Sequence, residues 1–313
     1  MITTVVLNPA IDKIYFVDDF QVGKMFRVSE TVRSAGGKGI NVARVANILG
    51  EKVSSIGFKG GEAGSWLQAQ LIKQGVCTGF IEVEGESRTN NNIIDKVNKT
   101  ETEVLEAGPY ITPKDIDRFL AVYEEVLKNT KVLVCTGGLP QGVPEDIYKT
   151  LIDMARLHDV ITILDASGKV LEEGMKARPY VIKPNLRELG SLAGKELKDI
   201  DDILKVSRGI AAAGIEVVTV SMGDRGALMV TRDTCLWARV PAVDIVNTIG
   251  SGDSMVAGFA AGLSRGYSLK ETLKLAAACS VSNTQFVEIG VVDKTAVSEL
   301  ENKIEILEVG HKI

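Results

Sequence analysis

Short apolar segments rich in β-branched residues alternate with amphipathic segments along most of this chain. The apolar segments have the length of buried strands and lie at residues 4–7, 53–58, 132–135, 161–164, 181–182 and 217–220. Helical periodicity predicts helices at residues 39–49, 64–74, 114–128, 145–157, 201–213, 254–265 and 269–286. Because strands that alternate with helices build βαβ units, the pattern predicts an α/β fold with a mostly parallel sheet.

Two segments interrupt this alternation, residues 13–33 and residues 88–106. Each contains two strand-like pieces with mixed polar and apolar residues, around Gln21-Val-Gly-Lys24 and Val97-Asn-Lys-Thr100. The mixture predicts a small, half-solvated antiparallel layer inserted into the α/β domain. Since no linker divides the chain, we expect one domain over residues 1–313 with the layer at about 12–34 and 87–107. The layer is either a lid that excludes water from a site or an extension of the sheet edge.

Composition excludes several classes of function. The net charge is −5 and no stretch concentrates Lys and Arg, so a nucleic-acid partner is not expected. No apolar run approaches the roughly 18 residues that a membrane-spanning helix needs. The four cysteines are far apart without a C-x-x-C pair, and the N-terminal residues resemble a strand rather than a signal peptide. We therefore expect a soluble, cytoplasmic protein that holds any anionic ligand with local donors.

Histidine is scarce, and this limits the chemistry that the chain can perform. His158 and His311 are the only two, and their positions favour surface roles. Catalysis by a Ser-His-Asp triad and metal binding by histidine are both disfavoured. If the chain is an enzyme, its general base is expected to be a carboxylate.

A glycine-rich turn, Gly250-Ser-Gly-Asp253, leads directly into an apolar helical pattern. Gly250 and Gly252 permit tight curvature and leave amide N–H groups uncovered at the helix start, where the helix dipole also favours an anion. Asp253 beside this anion site has the chemistry of a base that deprotonates an attacking hydroxyl during phosphoryl transfer. The simpler alternative is a helix start with an acidic residue suited to the dipole.

Two further motifs have the residue types of a sugar or phosphate site. In Ala35-Gly-Gly-Lys-Gly-Ile-Asn41, Gly39 follows Lys38 where a Walker A loop needs Ser or Thr. Lys38 and Asn41 nevertheless lie in the first helical turn, where they suit a polyol or a phosphate; a plain tight turn is the alternative. Asp12 follows the first strand and can accept hydrogen bonds from sugar hydroxyls, or it is an ordinary loop carboxylate.

Other polar segments admit both a functional and a structural interpretation. Arg88 and Asn90 can reach a substrate phosphate from the inserted layer, or lie on the surface. Asn185 and Glu188, three residues apart at a helix start, either order water around Mg²⁺ or form a capping box. The segment Ser221-Met-Gly-Asp-Arg-Gly226 is a turn between two strands that can also lie along a nucleotide.

The order and spacing of these motifs resemble the phosphofructokinase B family of the ribokinase-like superfamily. The resemblance covers almost the whole chain and includes Arg88 and the following motifs: Leu7-Asn-Pro-Ala-Ile-Asp12, Gly36-Gly-Lys-Gly39, Thr136-Gly-Gly-Leu-Pro140, Lys183-Pro-Asn-x-x-Glu188, Ser221-x-Gly-x-x-Gly226 and Gly250-Ser-Gly-Asp253. It implies a three-layer α/β/α core with a mostly parallel sheet and a β-sheet lid. It also implies ATP, Mg²⁺ and a homodimer formed through the lid.

The resemblance also implies roles for individual residues. Asp253 corresponds to the catalytic base, and Gly250, Ser251 and Gly252 form the anion hole with it. The residues that face the sugar phosphate are Asp12, Gly37, Lys38, Asn41, Arg88 and Asn90. Those that contact the nucleotide are Lys183, Asn185, Ser221, Met222, Gly223, Asp224, Arg225, Gly226 and Gly252. Glu188, with Asn185 acting through water, belongs to the Mg²⁺ site.

Two positions depart from the family pattern. Asn247 stands six residues before Asp253, where many relatives have an Asp that helps bind a monovalent cation, which argues against potassium activation. Asn92 stands four residues after Arg88, where 1-phosphofructokinases often have Lys, and this favours tagatose-6-phosphate kinase. The segments Gly39-Ile-Asn-Val42 and Asp19-Phe-Gln-Val-Gly23 favour 1-phosphofructokinase instead.

The expected function is ATP-dependent phosphorylation of a primary hydroxyl of a ketohexose monophosphate to a 1,6-bisphosphate. Fructose 1-phosphate is the preferred substrate and tagatose 6-phosphate the alternative. Two other classes remain open. One is a non-catalytic sugar-phosphate sensor, against which the intact Asp253 argues; the other is an oxidoreductase, for which the first strand lacks a following G-x-G-x-x-G.

Overall fold

Hydrogen bonding arranges the strands of the computed structural model into two sheets; the structure describes residues 1–309. The strands are β1 (Ile2–Val6), β2 (Ala10–Val17), β3 (Thr31–Gly36), β4 (Val53–Gly60), β5 (Cys77–Val83), β6 (Arg88–Asp95), β7 (Thr100–Leu105), β8 (Val132–Thr136), β9 (Ile161–Asp165), β10 (Val181–Ile182), β11 (Val217–Ser221), β12 (Ala227–Val230), β13 (Cys235–Arg239) and β14 (Glu305–Glu308). The helices are α1 (Lys38–Ile48), α2 (Gly61–Lys73), α3 (Pro113–Leu127), α4 (Ile147–Arg156), α5 (Gly168–Met175), α6 (Leu186–Ala193), α7 (Ile200–Ala212), α8 (Ser251–Arg265), α9 (Leu269–Asn283) and α10 (Lys294–Lys303).

The main sheet has ten strands in the order β14-β13-β12-β11-β10-β9-β8-β1-β4-β5. From β5 to β11 every neighbouring pair is parallel, which confirms the predicted mostly parallel sheet. The remaining strands, β12 to β14, pair antiparallel at one edge. The link from β11 to β12 is a single turn of 3-10 helix, Gly223–Arg225, and so short a connection permits only a hairpin.

Helices cover both faces of the main sheet. Along β1, the side chains of Ile2 and Val6 pack in one apolar cluster with α1, α8 and α9, while Val5 packs in a second cluster with α3 and α4. The alternation follows from the two-residue period of a strand. Burial on both faces explains why the central strands consist mostly of apolar and small residues, and it confirms the three-layer α/β/α architecture.

The smaller sheet has the order β3-β2-β6-β7 and coincides with the two segments that interrupt the alternation. Each segment forms an antiparallel hairpin, as the sequence predicts. The two hairpins join through a parallel pair, β2 with β6, in which Asp12 lies opposite Asn90. The pair is parallel because β2 and β6 follow β1 and β5, which run in the same direction in the main sheet.

None of the helices within residues 1–309 is long and apolar enough to cross a membrane. His158 is partly exposed at the end of α4, where its Nε2 lies 3.0 Å from Oε1 of Glu124. His311, also expected at the surface, lies outside the described residues.

Close contact between α8 and α9 depends on small residues, and this generates a test of the fold. A Cβ on Gly258 would lie 2.5 Å from Cα of Ala276, so Gly258→Ala should push the helices apart and lower the free energy of unfolding by about 1–3 kcal/mol. Gly209→Ala in α7 is the control, because nothing lies near its Cβ position; this variant should be as stable as the wild type or up to about 1 kcal/mol more stable. Chemical denaturation measures the free energy of unfolding of both variants. If Gly258→Ala were as stable as Gly209→Ala, the close packing of α8 and α9 would be contradicted.

Candidate active site

Helix α8 begins without a side-chain cap, and this defines one end of the site. Its N-cap is Gly250, in the left-handed conformation with φ 81°. A Cβ on this residue would lie 2.7 Å from Cγ2 of Ile289, so both the backbone conformation and the packing require glycine. The amide of Ser251 donates to the carbonyl oxygen of Thr248 at 3.3 Å, but the first turn still offers amides, including that of Gly252, to an anion at the positive end of the helix dipole.

Asp253 lies in the first turn of α8 and is buried against α1. Its Oδ2 accepts a 2.8 Å hydrogen bond from Nδ2 of Asn41. Burial raises the pKa of Asp253 from its usual 3.8 to about 6, the nearby Lys38 offsets part of this increase, and Asp165 adds to it. A carboxylate with this pKa is ionised at neutral pH and is more basic than an exposed one.

Asp165, the last residue of β9, lies between two lysines and was not among the predicted site residues. Its Oδ1 is 3.2 Å from Nζ of Lys183, and its Oδ2 is 3.4 Å from Nζ of Lys38. Thr136 Oγ1 also donates to Oδ2 at 3.1 Å. Burial alone would raise the pKa of Asp165, but the two lysines outweigh it and hold the pKa below its usual value. An acidic residue at the carboxyl end of a buried strand was the available signal in the sequence.

A second group of polar side chains lies where the smaller sheet meets the main one. Asp12 is buried on β2, and its Oδ1 accepts a 2.9 Å hydrogen bond from Nδ2 of Asn90 on β6. Burial raises the pKa of Asp12, although the bond from Asn90 and the charge of Arg88 both lower it. A Cβ on Gly36 of β3 would overlap the Asp12 carboxylate, so only glycine fits there.

Arg88 and Gly37 complete this part of the site. Arg88 heads β6 directly opposite Ala10, and its Nε donates to the carbonyl oxygen of Asn8 at 3.2 Å. Gly37 is the N-cap of α1, with φ 99° and no side-chain cap, so the first turn of α1 also presents its amides. The sequence-predicted residues Asp12, Asn90 and Arg88 thus form one cluster, and Lys38 and Asn41 connect through α1 to Asp165 and Asp253.

A cleft of about 600 Å³ extends from the start of α8 along the antiparallel edge of the main sheet. The predicted residues that line it are Asn185, Ser221, Gly223, Asp224, Gly226, Ser251 and Gly252. Its far wall was not predicted and consists of Val240, Pro241, Ala242, Val243, Ile245, Thr248, Met255, Ala277, Ser280, Val281 and Thr284. The cleft therefore has a glycine-rich polar end and a mostly apolar end.

Three residues predicted to contact a nucleotide do not line this cleft. Met222 packs in the apolar core, and its amide donates to the carbonyl oxygen of Gly226 at 2.8 Å. Arg225 uses its carbonyl oxygen to accept from Nε1 of Trp237. Lys183 is instead paired with Asp165, with its Nζ 3.4 Å from the position that a Cβ on Gly252 would occupy.

Comparison with known proteins decides the family. The family model for pfkB family carbohydrate kinases matches residues 4–287. This chain belongs to the pfkB family of carbohydrate kinases. It is therefore a sugar kinase, and the ribokinase-like expectation for its fold is confirmed.

Solved structures of pfkB-type proteins are similar over nearly their whole length. A possible 1-phosphofructokinase from Thermotoga maritima is 32% identical, with a TM-score of 0.89 over 99% of each chain. Phosphofructokinase-2 from Escherichia coli in complex with potassium is 27% identical, with a TM-score of 0.90 over 96% of this chain and 98% of that one. A ribokinase from Arabidopsis thaliana, complexed with ribose and ATP, shares only the fold, at 20% identity and a TM-score of 0.79 over 96% of this chain and 98% of that one.

Asn185 and Glu188 of this pfkB kinase form a reciprocal capping box at the start of α6. The amide of Asn185 donates to Oε2 of Glu188, and the amide of Glu188 donates to Oδ1 of Asn185, each at 2.9 Å. The capping interpretation is confirmed. Among residues 1–309, no three His, Cys, Asp or Glu side chains come together as a metal-binding group. Glu188 lies at the same helix start as Asn185, which lines the cleft, and one carboxylate suffices for Mg²⁺ because the ion keeps much of its water and binds through phosphates.

Asn247 holds the turn before α8 in place. Its Nδ2 donates to the carbonyl oxygen of Val287 at 3.0 Å, and its Oδ1 accepts from the amide of Ile249 at 2.9 Å. A carboxylate here would face the Val287 carbonyl without a donor between them. In this pfkB kinase the side-chain amide of Asn247 is the donor to the Val287 carbonyl oxygen.

The bond between Asn41 and Asp253 generates a pH prediction for this kinase. Asn41→Leu removes a hydrogen bond that favours the charged carboxylate, so the pKa of Asp253 should rise above about 6. Carboxyl ¹³C NMR titration measures this, with Asp253→Asn to assign the resonance. Asn47→Leu on the same helix is the control, because its Nδ2 donates to the carbonyl oxygen of Gln74 instead. An unchanged pKa in Asn41→Leu would show that the bond does not stabilise the carboxylate.

Proposed function

We propose that this pfkB kinase transfers the γ-phosphoryl group of ATP to a primary hydroxyl of a ketohexose monophosphate, giving a 1,6-bisphosphate. The observation that carries the proposal is the buried carboxylate of Asp253 in the first turn of an uncapped helix. Asp253 accepts the hydroxyl proton, and the amides around Gly250 and Gly252 stabilise the charge on the phosphoryl group during transfer. Such a transfer depends on positioning and electrostatics more than on covalent chemistry by the protein.

The cleft beside α8 suits a nucleoside triphosphate. Its glycine-rich end, with Gly223, Gly226 and Gly252, allows phosphates to approach the backbone, and its apolar end suits a base. Lys183 and Lys38 place two ammonium groups where the phosphates converge. Glu188, with Asn185, would hold Mg²⁺ through water, and the ion would neutralise phosphate charge when bound.

The smaller sheet supplies the sugar-phosphate half of the site. In our proposal Asp12 and Asn90 bind sugar hydroxyls, while Arg88 and Lys38, with the amides at Gly37, bind the phosphate. The whole chain then acts as one kinase domain with this sheet as its lid, at about 12–34 and 87–107.

The proposed homodimer forms through the same sheet. Strand β7 is exposed along its full length, and the large apolar side chains Val104 and Leu105 are more than half exposed. An unpaired edge strand with apolar side chains is a surface that pairing with a second sheet would cover. An oligomer is in keeping with phosphofructokinase-2 from Escherichia coli, which has a tetrameric inhibited form. A cytoplasmic location remains our prediction. The four cysteines are free, as is usual for proteins in a reducing compartment.

A panel of substrates tests the function, with initial rates measured with ATP and Mg²⁺. We expect the highest kcat/KM for fructose 1-phosphate, followed by tagatose 6-phosphate, with fructose 6-phosphate and free fructose much slower. The T. maritima protein supports this order by its name, whereas Asn92 on the lid supports tagatose 6-phosphate. A faster rate with tagatose 6-phosphate would select the alternative enzyme. No ATP consumption with any sugar phosphate would instead indicate a sensor.

Asp253→Asn tests the assignment of the base. Loss of general-base assistance should lower kcat by roughly 10²–10⁴-fold, while ATP affinity stays within a few-fold because the amides remain. Isothermal titration and steady-state kinetics separate the two quantities. Turnover close to that of the wild type would remove Asp253 from this role.

A stability measurement at pH 8 is the control for Asp253→Asn. The folded protein binds the Asp253 proton more tightly than the unfolded chain, so ionisation costs folding free energy as pH rises from about 4 to about 6. The cost is fully present at pH 8, where Asn removes it. The variant should therefore be as stable as the wild type or more stable, by on the order of 1–3 kcal/mol.

A further inference from the structure

Two carboxylates and two ammonium groups come together where α8 begins. Asp165, Asp253 and Lys183 are buried, whereas the side chain of Lys38 is 42% exposed. We propose that Asp165 is a positioning residue that holds both ammonium groups beside the anion hole and away from the base, Asp253. The proposal rests on the kinase function proposed above. It assigns Asp165 no contact with the substrate; its effect is exerted through the two lysines.

Asp165 is itself fixed by rigid structure. It ends β9, where it lies opposite Thr136 of β8 in the sheet, its side chain is 2% exposed, and its carbonyl oxygen accepts from the amide of Gly137 at 3.1 Å. The hydroxyl of Tyr148 in turn donates to the carbonyl oxygen of Thr136 at 2.9 Å. The carboxylate therefore has little freedom to move.

The lysines, in contrast, have flexible side chains, and a lysine takes its position from its partner. They reach Asp165 from different parts of the chain, Lys38 from the start of α1 and Lys183 from the segment after β10. Each pairs with a different oxygen, at 3.4 Å and 3.2 Å respectively. Nζ of Lys183 is held 3.4 Å from the Cβ position of Gly252, next to the amides that begin α8. One carboxylate thus directs two cations to the point where phosphate charge develops.

Without Asp165, the remaining carboxylate in this cluster is Asp253. The charged groups that act on Asp253 are Lys38 from α1, Asp165 from β9 and Lys183 from the segment after β10, beside the neutral Asn41. Released ammonium groups would be drawn to Asp253, because Coulomb attraction is strong in a buried site. A carboxylate paired with two ammonium groups is a weaker base. Asp165 therefore keeps both ammonium groups in position to bind the phosphates, and it keeps Asp253 basic.

Asp165→Asn tests this role through the pH profile. Burial and Asp165 raise the pKa of Asp253, so below about pH 6 the base is protonated and kcat/KM falls in the wild type. In Asp165→Asn the acid limb should move down by roughly one pH unit or more, because a negative neighbour is lost and two cations approach. At the pH optimum of Asp165→Asn, kcat should be lower than that of the wild type by on the order of 10- to 100-fold, because the lysines are misplaced.

Thr136→Val is the matched control. It removes a hydroxyl that lies 3.0 Å from the carbonyl oxygen and 3.1 Å from Oδ2 of Asp165, but it leaves the strand pairing, the charge of Asp165 and both lysines in place. Its acid limb should stay at the wild-type pH, with kcat within a few-fold of the wild type. An Asp165→Asn variant that keeps the wild-type acid limb would overturn the proposal, because a purely structural role affects kcat and stability without changing the ionisation of the base.

Asp165→Asn leaves Lys183 buried without a partner, and the variant can fail to fold for that reason alone. Lys38→Met/Lys183→Met provides a second background in which no buried cation is orphaned. If Asp165 acts through the lysines, adding Asp165→Asn there should lower kcat less than twofold further. A further loss as large as that of the single variant in the wild-type background would overturn the proposal.

Failure of the proposed function is distinguishable from failure of this inference. If the wild type phosphorylates no sugar phosphate, the proposed function fails, and the inference is then tested without substrate. Carboxyl ¹³C NMR should show a lower pKa of Asp253 in Asp165→Asn than in the wild type. If the wild type is active and the pKa of Asp253 is the same in both proteins, the inference alone fails.

Discussion

Four ionised side chains meet at the carboxyl edge of the main sheet. Three of them, Asp165, Asp253 and Lys183, are buried, and the surrounding structure has to offset their desolvation. Asp165 and Asp253 contribute two negative charges, and Lys38 and Lys183 two positive ones, so the cluster is neutral as a whole. Burying one such charge without a partner costs several kcal/mol, whereas paired charges offset much of that cost. The cluster is thus stable only as a set. Its members come from four elements, so its formation requires the main sheet and both α1 and α8 to be in place.

The backbone around the cluster is held just as tightly. Arg44 on α1 is buried, and it donates to the carbonyl oxygens of Ala35 and Ile289. One guanidinium therefore fixes both the glycine turn before α1 and the segment that packs against Gly250. Asn283 acts similarly at the end of α9: its Nδ2 donates to the carbonyl oxygen of Ile249, and its Oδ1 accepts from the amide of Gly290. The helix start that presents the anion hole is pre-organised by these contacts before any ligand binds.

Local patterns in the sequence predicted most of the core. The β-branched segments became β1, β4, β8, β9, β10 and β11, because continuous apolar character is what a sheet covered on both faces requires. The strands β5, β13 and β14 and the helices α5 and α10 were not predicted. The helix expected to reach residue 286 ends at Asn283, where the side chain turns to bind Ile249 and Gly290. Its ending is set by tertiary contacts that no helical periodicity records.

The sequence by itself determined the fold class, the family and the residues of the glycine-rich turns, because these depend on local backbone chemistry and on motifs read along the chain. Only the tertiary structure brought Asp165 between Lys38 and Lys183, and only it built the apolar wall of the cleft from residues 240–284. It also made the pair of β2 and β6 parallel, through the directions of β1 and β5. Lys38 is 127 residues from Asp165. Contacts between residues so far apart in sequence depend on the order of the strands in the sheet. Patterns among neighbouring residues do not specify that order.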